Sequence, residues 1–495
     1  MKVEVQCDQP VKKIKNFWNH IHFHPTDAIE DDWGQEVLDC IAKDGAADMV
    51  RIYTMFEDMV TMDADGQLQY DFSLNDQRMD YMVSKGFRLF ISYNFIPACI
   101  AAEPELMNNA CQKKTRYKGK FIITSPPKDY KLWEEICYQY TKHIVERYGL
   151  DRVKTWRLQC LNEPDHKNFW MQSVAVDEEG TQIRLREYCK LYKGFVEGIE
   201  KVSKELKVGG PSNAGKEGFF TGFLDYITAN NLKIDFISIH TYGVMPRFLN
   251  DGSLTFDVKR HLTAARDYYN HMKEYNMENK ELIMDEWGAC TNGDCTIERC
   301  PKLVIRENEA FSAYYAKLLT YFAYGDVPIS KLMICLCGQH GQETYFCGGR
   351  SFFTKGFFKK PIYNFYVLAA KLGTTLVEMN KEDVNENVSV MATDKGVLAA
   401  YVSDDLERNL QDKEMEFVLR NCPGDMVRVW CIDKNHINPY TKYREMGMPE
   451  ELTPEQIKVL KEEGELRPIE QKKVEGVLKE TIRLQDGCVY FIEFL

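Results

Sequence analysis

Two apolar segments of this sequence each deliver a glutamate near their end, and these glutamates are the residues best suited to chemistry. Residues 156–164 read WRLQCLNEP and residues 281–288 read ELIMDEWG, so the two carboxyl groups belong to Glu163 and Glu286. Apolar strands that present a glutamate at their carboxyl ends are typical of active sites in (β/α)8 barrels. Two carboxyl groups facing one cavity can cleave a glycosidic bond, one as proton donor and the other as nucleophile or base.

The elements that must position these glutamates alternate between strand and helix from about residue 17 to residue 374. The predicted strands are 18–23, 49–54, 87–93, 155–162, 207–211, 236–240, 282–286 and 332–337. Amphipathic helical patterns lie between them. Eight β-then-α units in series imply parallel strands, and their number favours a closed α/β barrel over an open sheet. The gap between Glu163 and Glu286 amounts to about three units of ~30–40 residues, as between the fourth and seventh strands.

The pattern changes after residue 374. Short alternating segments separated by turn residues follow, and this pattern predicts a β-sandwich. We therefore expect a catalytic (β/α)8 barrel over residues 10–374 and a β-sandwich accessory domain over residues 375–495. Residues 1–9 include a strand-like alternation and offer the sandwich one further strand.

Composition restricts the classes of partner. The 495 residues carry a net charge of −12, so no basic excess is available for a nucleic acid. No apolar run reaches membrane-spanning length, and the charged first residues contain no apolar signal region, so we expect a cytoplasmic protein with no membrane partner. The sixteen cysteines form no compact framework and are expected to be reduced thiols. A homo-oligomer remains open.

One group of cysteines follows Glu286 in the sequence, namely Cys290, Cys295, Cys300, Cys335, Cys337 and Cys347. No Cys-x-x-Cys spacing supports metal ligation by this group, and the sequence predicts no metal there.

The sequence resembles a known family, glycoside hydrolase family 39, which contains β-xylosidases and α-L-iduronidases. The resemblance spans nearly the whole chain and depends on the order of many short motifs. These are SPPKDY at 125–130, HIVERYG at 143–149, NEP at 162–164, FW at 169–170, SIHTY at 238–242, DEW at 285–287, KPIYN at 360–364, NPY at 438–440, MGMP at 446–449 and TPEQ at 453–456.

The resemblance implies a retaining glycosidase and assigns roles to individual residues. It makes Glu163 the acid/base on the fourth strand and Glu286 the nucleophile on the seventh. Asn162 matches the residue that binds the sugar 2-hydroxyl, and Tyr242 matches the residue that orients the nucleophile. His240 lies on the same face as Tyr242, two residues away along a strand. No metal and no organic cofactor is required.

Departures from the family pattern concern the sugar pocket. Tyr53 stands where the family has a sugar-contacting histidine on strand two, and Gln339 and His340 stand where it has a tryptophan on strand eight. Asn94 is a further candidate for substrate contact, and Trp287, beside the nucleophile, is expected to wall the pocket.

The expected substrate is an oligosaccharide or another glycoside. Residues 240–243 offer no cation for a uronate carboxylate, which favours a neutral sugar. We expect exo action of the β-xylosidase type on oligosaccharides from plant polysaccharides. A β-glucoside, β-galactoside or arabinoside is the alternative.

Two other classes of function compete with this interpretation. His20, His22 and His24 point to one face of a strand, as metal ligands do in some barrel hydrolases, although the remaining ligands of such a set are not evident. A carbohydrate-binding protein without catalysis on a degenerate barrel is the second alternative, and the retention of both glutamates argues against it.

Two further residues lie close to the catalytic pair in the predicted strands. Arg51 on strand two is expected to be a core-facing partner of a catalytic carboxylate rather than a substrate anchor. Asp285 alternates with Glu286 and is expected to face the layer between barrel and helices, or to accept a structural hydrogen bond.

Overall fold

Eight parallel strands close into a barrel in the computed structural model, which describes residues 1–24, 29–111, 120–293, 295–336, 344–406 and 410–495. Each strand pairs with the next along the chain, and the eighth pairs with the first. The first to eighth barrel strands are His20–Phe23, Met49–Tyr53, Arg88–Tyr93, Arg157–Cys160, Val208–Asn213, Phe236–Val244, Glu281–Cys290 and Ile329–Leu336. The predicted (β/α)8 barrel is confirmed.

One long helix follows each barrel strand and covers its outer face. These helices are Asp32–Lys43, Ser73–Ser84, Tyr130–Tyr148, Glu178–Glu200, Glu217–Ala229, Lys259–Glu274, Glu309–Tyr324 and Pro361–Ala369. Aspartates begin several of them: the carboxylate of Asp31 accepts from the Gly34 amide at 2.9 Å, and that of Asp177 accepts from the Gly180 amide at 2.8 Å. Such caps satisfy amides that have no partner inside the helix.

In the described ranges, shorter elements lie in the connections of the barrel. Four are single helical turns or little more, namely Phe56–Asp58, Leu150–Val153, Pro246–Asn250 and Pro301–Arg306. Three are two-stranded ribbons, which pair Val60–Met62 with Leu68–Tyr70, Met107–Cys111 with Lys120–Ile123, and Phe353–Thr354 with Phe358–Lys359. None of the helices in the described ranges is long and apolar enough to cross a membrane.

The barrel interior has an apolar floor beneath a polar layer. The floor is a cluster of buried side chains from five strands: Met49, Phe90, Phe236, Ile283 and Met333. Because side chains on a strand alternate between faces, residues two positions further along also point inward. Those positions are polar on four of the strands, where they carry Arg51, Ser92, Ser238 and Asp285.

The rest of the chain forms a nine-stranded mixed sheet. Its strands, in spatial order, are Glu470–Lys473, Met426–Ile432, Cys488–Phe494, Gly396–Tyr401, Val388–Thr393, Thr375–Glu382, Lys2–Lys13, Lys413–Arg420 and Val477–Leu484. Helices Pro439–Glu445 and Pro454–Glu463 interrupt the sequence between its strands. Val429 and Ile482, from opposite ends of this ladder, share one core, so the sheet folds back on itself as a sandwich.

The amino-terminal strand lies inside this sheet. Strand Lys2–Lys13 runs antiparallel to Thr375–Glu382 and parallel to Lys413–Arg420. Val3 and Val5 are fully buried in the core of the sandwich. The division into domains at residues 374 and 375 stays a prediction.

Candidate active site

A β-bulge in the seventh barrel strand places two adjacent acidic residues inside the barrel. Met284 pairs with Ile239, whereas Glu286 pairs with His240, so Asp285 is one residue in excess. An extra residue interrupts the alternation of side chains between the two faces. Asp285 and Glu286 therefore both point inward, and both are almost completely buried. Two alternatives were expected for Asp285, namely a position facing the helix layer or a role as acceptor of a structural hydrogen bond. The structure has the second, because Asp285 faces the barrel interior and accepts hydrogen bonds there.

The chain leaves the fourth strand through an irregular turn that carries Asn162 and Glu163. Leu161 and Glu163 have φ values of 59° and 44°, a left-handed conformation that non-glycine residues rarely adopt. Asp165 holds this turn, because its buried carboxylate accepts the amides of Ala214 and Lys216 at 2.9 to 3.1 Å. Burial raises the pKa of Asp165 to about 6, despite these amide donors.

The carboxylate of Glu286 is surrounded by donors on both oxygens. Its Oε1 accepts from Arg51 Nη1 at 2.9 Å and from the Tyr53 hydroxyl at 3.1 Å. His22 Nδ1 lies 3.1 Å from the same oxygen. The Oε2 atom accepts from the Tyr242 hydroxyl at 2.8 Å.

Arg51 joins the strands beneath the two glutamates. We call this residue and its partners the Arg51 network, and the partners are His22, Gln159, Asn162, Ser212, Asp285 and Glu286. The guanidinium is fully buried. Its Nη2 atom donates to Gln159 Oε1 and Asn162 Oδ1, both at 2.8 Å, and lies 3.1 Å from Asp285 Oδ2. The predicted role of Arg51 as a core-facing partner of the carboxylates matches this geometry.

His240 connects the two glutamates with Asp285. Its Nδ1 atom lies 2.6 Å from Glu163 Oε1 and 3.7 Å from Glu286 Oε2. Its Nε2 atom lies 2.7 Å from Ser212 Oγ and 3.3 Å from Asp285 Oδ2. One carboxyl oxygen of Glu163 and one of Glu286 approach within 4.8 Å of each other.

His240 and Glu286 carry opposite charges in this site. Burial opposes a charge on His240, but the carboxylates of Glu286 and Asp285 outweigh it and raise the pKa of His240 to about 10. Burial likewise opposes a charge on Glu286, yet His240, His22 and Arg51 hold its pKa well below the ordinary value. Glu286 is therefore ionised and His240 cationic at neutral pH.

His22 differs from His240 although both contact Glu286. Burial, followed by the charge of Arg51, lowers the pKa of His22 to about 4, so this imidazole is neutral. Burial also raises the pKa of Tyr242 well above its ordinary value, so the phenol keeps the proton that it donates to Glu286.

The structure brings together most of the residues that the sequence singled out. Glu163, Glu286, Asn162, His240, Tyr242 and Tyr53 converge at the carboxyl ends of the strands, as described above. The Oδ1 atom of Asn162 accepts from Arg51, while its buried Nδ2 atom has no hydrogen-bond partner among the described residues. A guanidinium can only donate, so this contact fixes the orientation of the amide and leaves Nδ2 available as a donor.

Two predicted substrate contacts are placed differently. Trp287 follows Glu286 by one residue, and alternation turns it to the outer face, where its ring centroid lies 4.6 Å from that of Tyr315. Trp287 therefore packs against the helices and does not wall the pocket. Asn94 is fully buried, and its amide donates to Ser92 Oγ at 3.1 Å rather than to either glutamate. Gln339 and His340 lie outside the described residues.

Two residues of the site, Ser212 and Arg350, were not predicted from the sequence. Ser212 lies at the carboxyl end of the fifth strand, one residue beyond the predicted strand end, and its polar side chain in a buried strand was the available signal. Arg350 comes from the long loop after the eighth strand, and its Nη1 atom donates to the Tyr242 hydroxyl at 2.7 Å. No local sequence signal links Arg350 to Tyr242, since the two meet only through tertiary structure.

Three groups of side chains in the described ranges have the spacing of metal ligands. They are His22 with Glu286 and Cys335, Glu163 with His240 and Glu286, and Cys431 with Asp433 and His436. In the first two groups a metal ion would share Glu286 with the guanidinium of Arg51, 2.9 Å away, and the two positive charges would repel each other. Cys337, from the predicted cysteine group, lies outside the described residues.

Comparison with known proteins identifies the family of this chain. The profile of Glycosyl hydrolases family 39 matches residues 1–475. The chain belongs to glycoside hydrolase family 39. The predicted resemblance is thereby confirmed, and this family 39 protein is a glycoside hydrolase rather than a binding protein without catalysis.

Individual relatives of the family 39 chain are distant. A β-xylosidase from Caldicellulosiruptor saccharolyticus is 26% identical over 490 residues, which cover 94% of this chain and 92% of the relative. An α-L-iduronidase from Canis lupus familiaris is 23% identical over 269 residues, 49% of this chain and 36% of the relative. The crystal structure of a monomeric β-xylosidase from Caulobacter crescentus CB15 superposes with a TM-score of 0.78 at 20% identity, covering 99% of both chains.

Removal of the Arg51 guanidinium should destabilise the protein in a pH-dependent manner. We expect Arg51→Met to lower the free energy of unfolding by about 3–5 kcal/mol at pH 7, because two buried carboxylates lose their cation. Arg51 lowers the pKa of Glu286 and Asp285, so its contribution is present above the pKa of the unfolded carboxyls and fades as pH falls. The measurement is urea unfolding at pH 7 and at about pH 4.

Arg184→Met is the matched control for this experiment. It removes another buried guanidinium, one that donates to the backbone carbonyl of Val174 at 3.1 Å. A deficit of the Arg51 variant that is equal at both pH values, or no larger than that of the control, would contradict the proposed electrostatic origin.

Proposed function

We propose that this family 39 enzyme is a retaining, exo-acting β-glycosidase of the β-xylosidase type, with Glu286 as nucleophile and Glu163 as acid/base. The observation that carries the proposal is the approach of the two carboxyl groups to within 4.8 Å. Retaining enzymes hold these groups about 5–5.5 Å apart, whereas inverting enzymes leave roughly 6.5–9.5 Å for a water molecule. The separation leaves no room for that water and favours double displacement.

Glu286 has the properties that a nucleophile requires. Arg51, His22 and His240 stabilise its negative charge, so an ionised carboxylate is available at neutral pH. The Oε1 atom is held by Arg51 and Tyr53, while Oε2 lies on the side of His240 and accepts from Tyr242. We assign the attack on the anomeric carbon to Oε2, because this oxygen has fewer donors and lies beside His240, whose Nδ1 also contacts Glu163.

Glu163 has the position that an acid/base requires. Its side chain is 14% exposed, against 8% for Glu286, so it faces the open side of the cleft where a leaving group would lie. His240 Nδ1 lies 2.6 Å from Glu163 Oε1, and this short contact lets the two groups share a proton. Glu163 donates this shared proton to the glycosidic oxygen as the bond between that oxygen and the anomeric carbon breaks.

The second step reverses these roles. Once Glu286 is esterified to the sugar, its negative charge is gone, and Glu163 can take a proton from a water molecule. The water oxygen attacks the anomeric carbon from the side of Glu163, and the ester bond to Glu286 breaks. Because two inversions occur at the same carbon, the product keeps the configuration of the substrate.

The substrate class is supported by donors in the cleft and by the relatives. The Nδ2 atom of Asn162, held in place through Arg51, is a buried donor without a partner in the described part of the chain, and it fits a hydroxyl next to the anomeric carbon. A relative that covers nearly the whole chain is called a β-xylosidase. We therefore propose, as the first candidate substrate, a neutral pentoside at the non-reducing end of plant-derived oligosaccharides. Exo action and this sugar are parts of the same proposal.

Loss of the nucleophile should be rescued by a small anion. We expect Glu286→Ala to lower kcat by more than about 10⁴-fold on an aryl β-xyloside. Azide should restore part of the activity and give the glycosyl azide of inverted configuration, because it occupies the vacated space and attacks from that side. Nuclear magnetic resonance of the product identifies the configuration.

Glu281→Ala is the control for this variant. Glu281 lies at the opposite end of the same strand and pairs with Arg157 at 2.6 Å and Lys331 at 3.4 Å. The control should keep its turnover. Near-normal turnover of Glu286→Ala, or an azide product of retained configuration, would disprove the nucleophile assignment.

Loss of the acid/base should depend on the leaving group. We expect Glu163→Ala to slow substrates with poor leaving groups by about 10²–10⁴-fold, and activated aryl glycosides far less, because a good leaving group needs little protonation. Azide should here give the product of retained configuration, since it replaces the water that attacks the ester. Equal losses on both kinds of substrate, together with the absence of an azide product, would contradict the assignment.

A second candidate substrate is a sugar that carries a carboxylate. The expectation of a neutral sugar assumed that no cation lies near Tyr242, whereas Arg350 donates to its hydroxyl and lies 5.2 Å from its ring centroid. Some relatives are called α-L-iduronidases. A uronate carboxylate could pair with this guanidinium.

A substrate panel distinguishes the two candidates. We expect kcat/KM on an aryl β-xyloside to exceed that on an aryl β-glucuronide or α-L-iduronide by at least about 10-fold, the worth of one unpaired buried polar group. If a uronide is instead the better substrate, and Arg350→Met abolishes that preference while Arg266→Met at the surface does not, the second candidate replaces the first.

A further inference from the structure

Two cysteines from opposite ends of the chain meet at the edge of the sandwich core. The Sγ atoms of Cys7 and Cys422 lie 3.6 Å apart, although 415 residues separate them in the sequence. Cys7 is buried, whereas Cys422 is half-buried in the turn before strand Met426–Ile432. Both are free thiols.

The register of the sheet brings these thiols together. The amino-terminal strand pairs in parallel with strand Lys413–Arg420, and the last pair of that ladder is Gln6 with Arg420. Cys7 and Cys422 follow one and two residues after this pair. The turn is held against the strand by Asn421, whose side-chain amide donates to Asp8 Oδ1 at 3.1 Å. The proximity therefore follows from strand pairing and does not depend on a surface loop alone.

We propose that Cys7 and Cys422 form a disulfide modification site, which joins the amino-terminal strand covalently to the carboxyl-terminal part of the sheet under oxidising conditions. A disulfide needs the sulfur atoms at about 2.05 Å, with a dihedral angle near ±90°. Rotation of the two side chains can shorten the distance between the sulfur atoms from 3.6 Å to this bond length. The site takes an oxidant of the class of small disulfides, such as oxidised glutathione.

The reaction proceeds in two exchange steps. The Cys422 thiolate attacks one sulfur of oxidised glutathione, which gives a mixed disulfide and releases one glutathione thiolate. The Cys7 sulfur then attacks Cys422 Sγ, loses its proton to solvent, and releases the second glutathione. Two cysteine thiols are oxidised and one small disulfide is reduced to two thiols, so atoms and electrons balance.

The two thiols are suited to different parts in this reaction. The hydrogen bond from Cys7 lowers the pKa of Cys422, so the more accessible sulfur is also the better thiolate. The same contact, with burial, raises the pKa of Cys7. A low-pKa, accessible thiol beside a second thiol is the usual arrangement of an attacking and a resolving cysteine.

Mass spectrometry of the full-length protein tests the proposal. The native protein is incubated with oxidised glutathione, free thiols are alkylated, and the protein is digested without reduction. We expect one cross-linked pair of peptides containing Cys7 and Cys422, lighter than the two reduced peptides by two hydrogen atoms, that disappears on treatment with dithiothreitol. The melting temperature should rise by about 2–5 °C on oxidation, because the cross-link restrains the unfolded chain.

Two variants complete the experiment. Cys422→Ser, at a half-buried turn, should remain folded and lose both the cross-link and the rise in melting temperature. Cys40→Ser, at another half-buried cysteine on helix Asp32–Lys43, should keep both. Recovery of alkylated Cys7 and Cys422 after oxidation would overturn the proposal. So would a glutathione adduct on Cys422 with Cys7 still free.

Discussion

The buried guanidinium of Arg51 is the constraint on which the site depends. A cation taken out of water costs several kcal/mol unless charged and polar partners replace its hydration. Arg51 finds these partners on the fourth, fifth and seventh strands, including the carboxylates of Asp285 and Glu286. Each partner is thereby fixed in direction as well as position. The polar layer of the barrel can exist only as a complete set, and this explains why so many polar side chains lie directly above the apolar floor.

The charge distribution around Arg51 also divides the work between the two glutamates. Glu286 is held within the network and stays ionised, whereas Glu163 is linked to the network through His240. His240 in turn owes its raised pKa to Glu286 and Asp285. A change of charge at Glu286 therefore reaches Glu163 through one imidazole. In the proposed mechanism this coupling lets the formation and loss of the ester control which way the proton moves.

Most of the fold and half of the site could be predicted from the sequence for a physical reason. Most of the barrel strands lie in short segments rich in apolar residues, and apolar runs identify strands that are buried on both faces. Glu163 and Glu286 were identified because each interrupts such a run. Alternation could not predict that Asp285 and Glu286 both point inward, because this depends on a bulge that only pairing with the neighbouring strand reveals. Arg350 arrives from a distant loop, and contacts of that kind leave no periodic signal.

The architecture separates the chemistry from the choice of sugar. Proton transfer and nucleophilic attack are assigned to side chains at strand ends, which Arg51 holds in one arrangement. Loop residues also reach the site, and Arg350 is the one cation in the described ranges that such a loop brings to Tyr242. Loops tolerate changes of sequence that a buried charge network does not. In the proposed mechanism a different sugar can therefore be accommodated by new loop residues, whereas a change within the Arg51 network would alter catalysis itself.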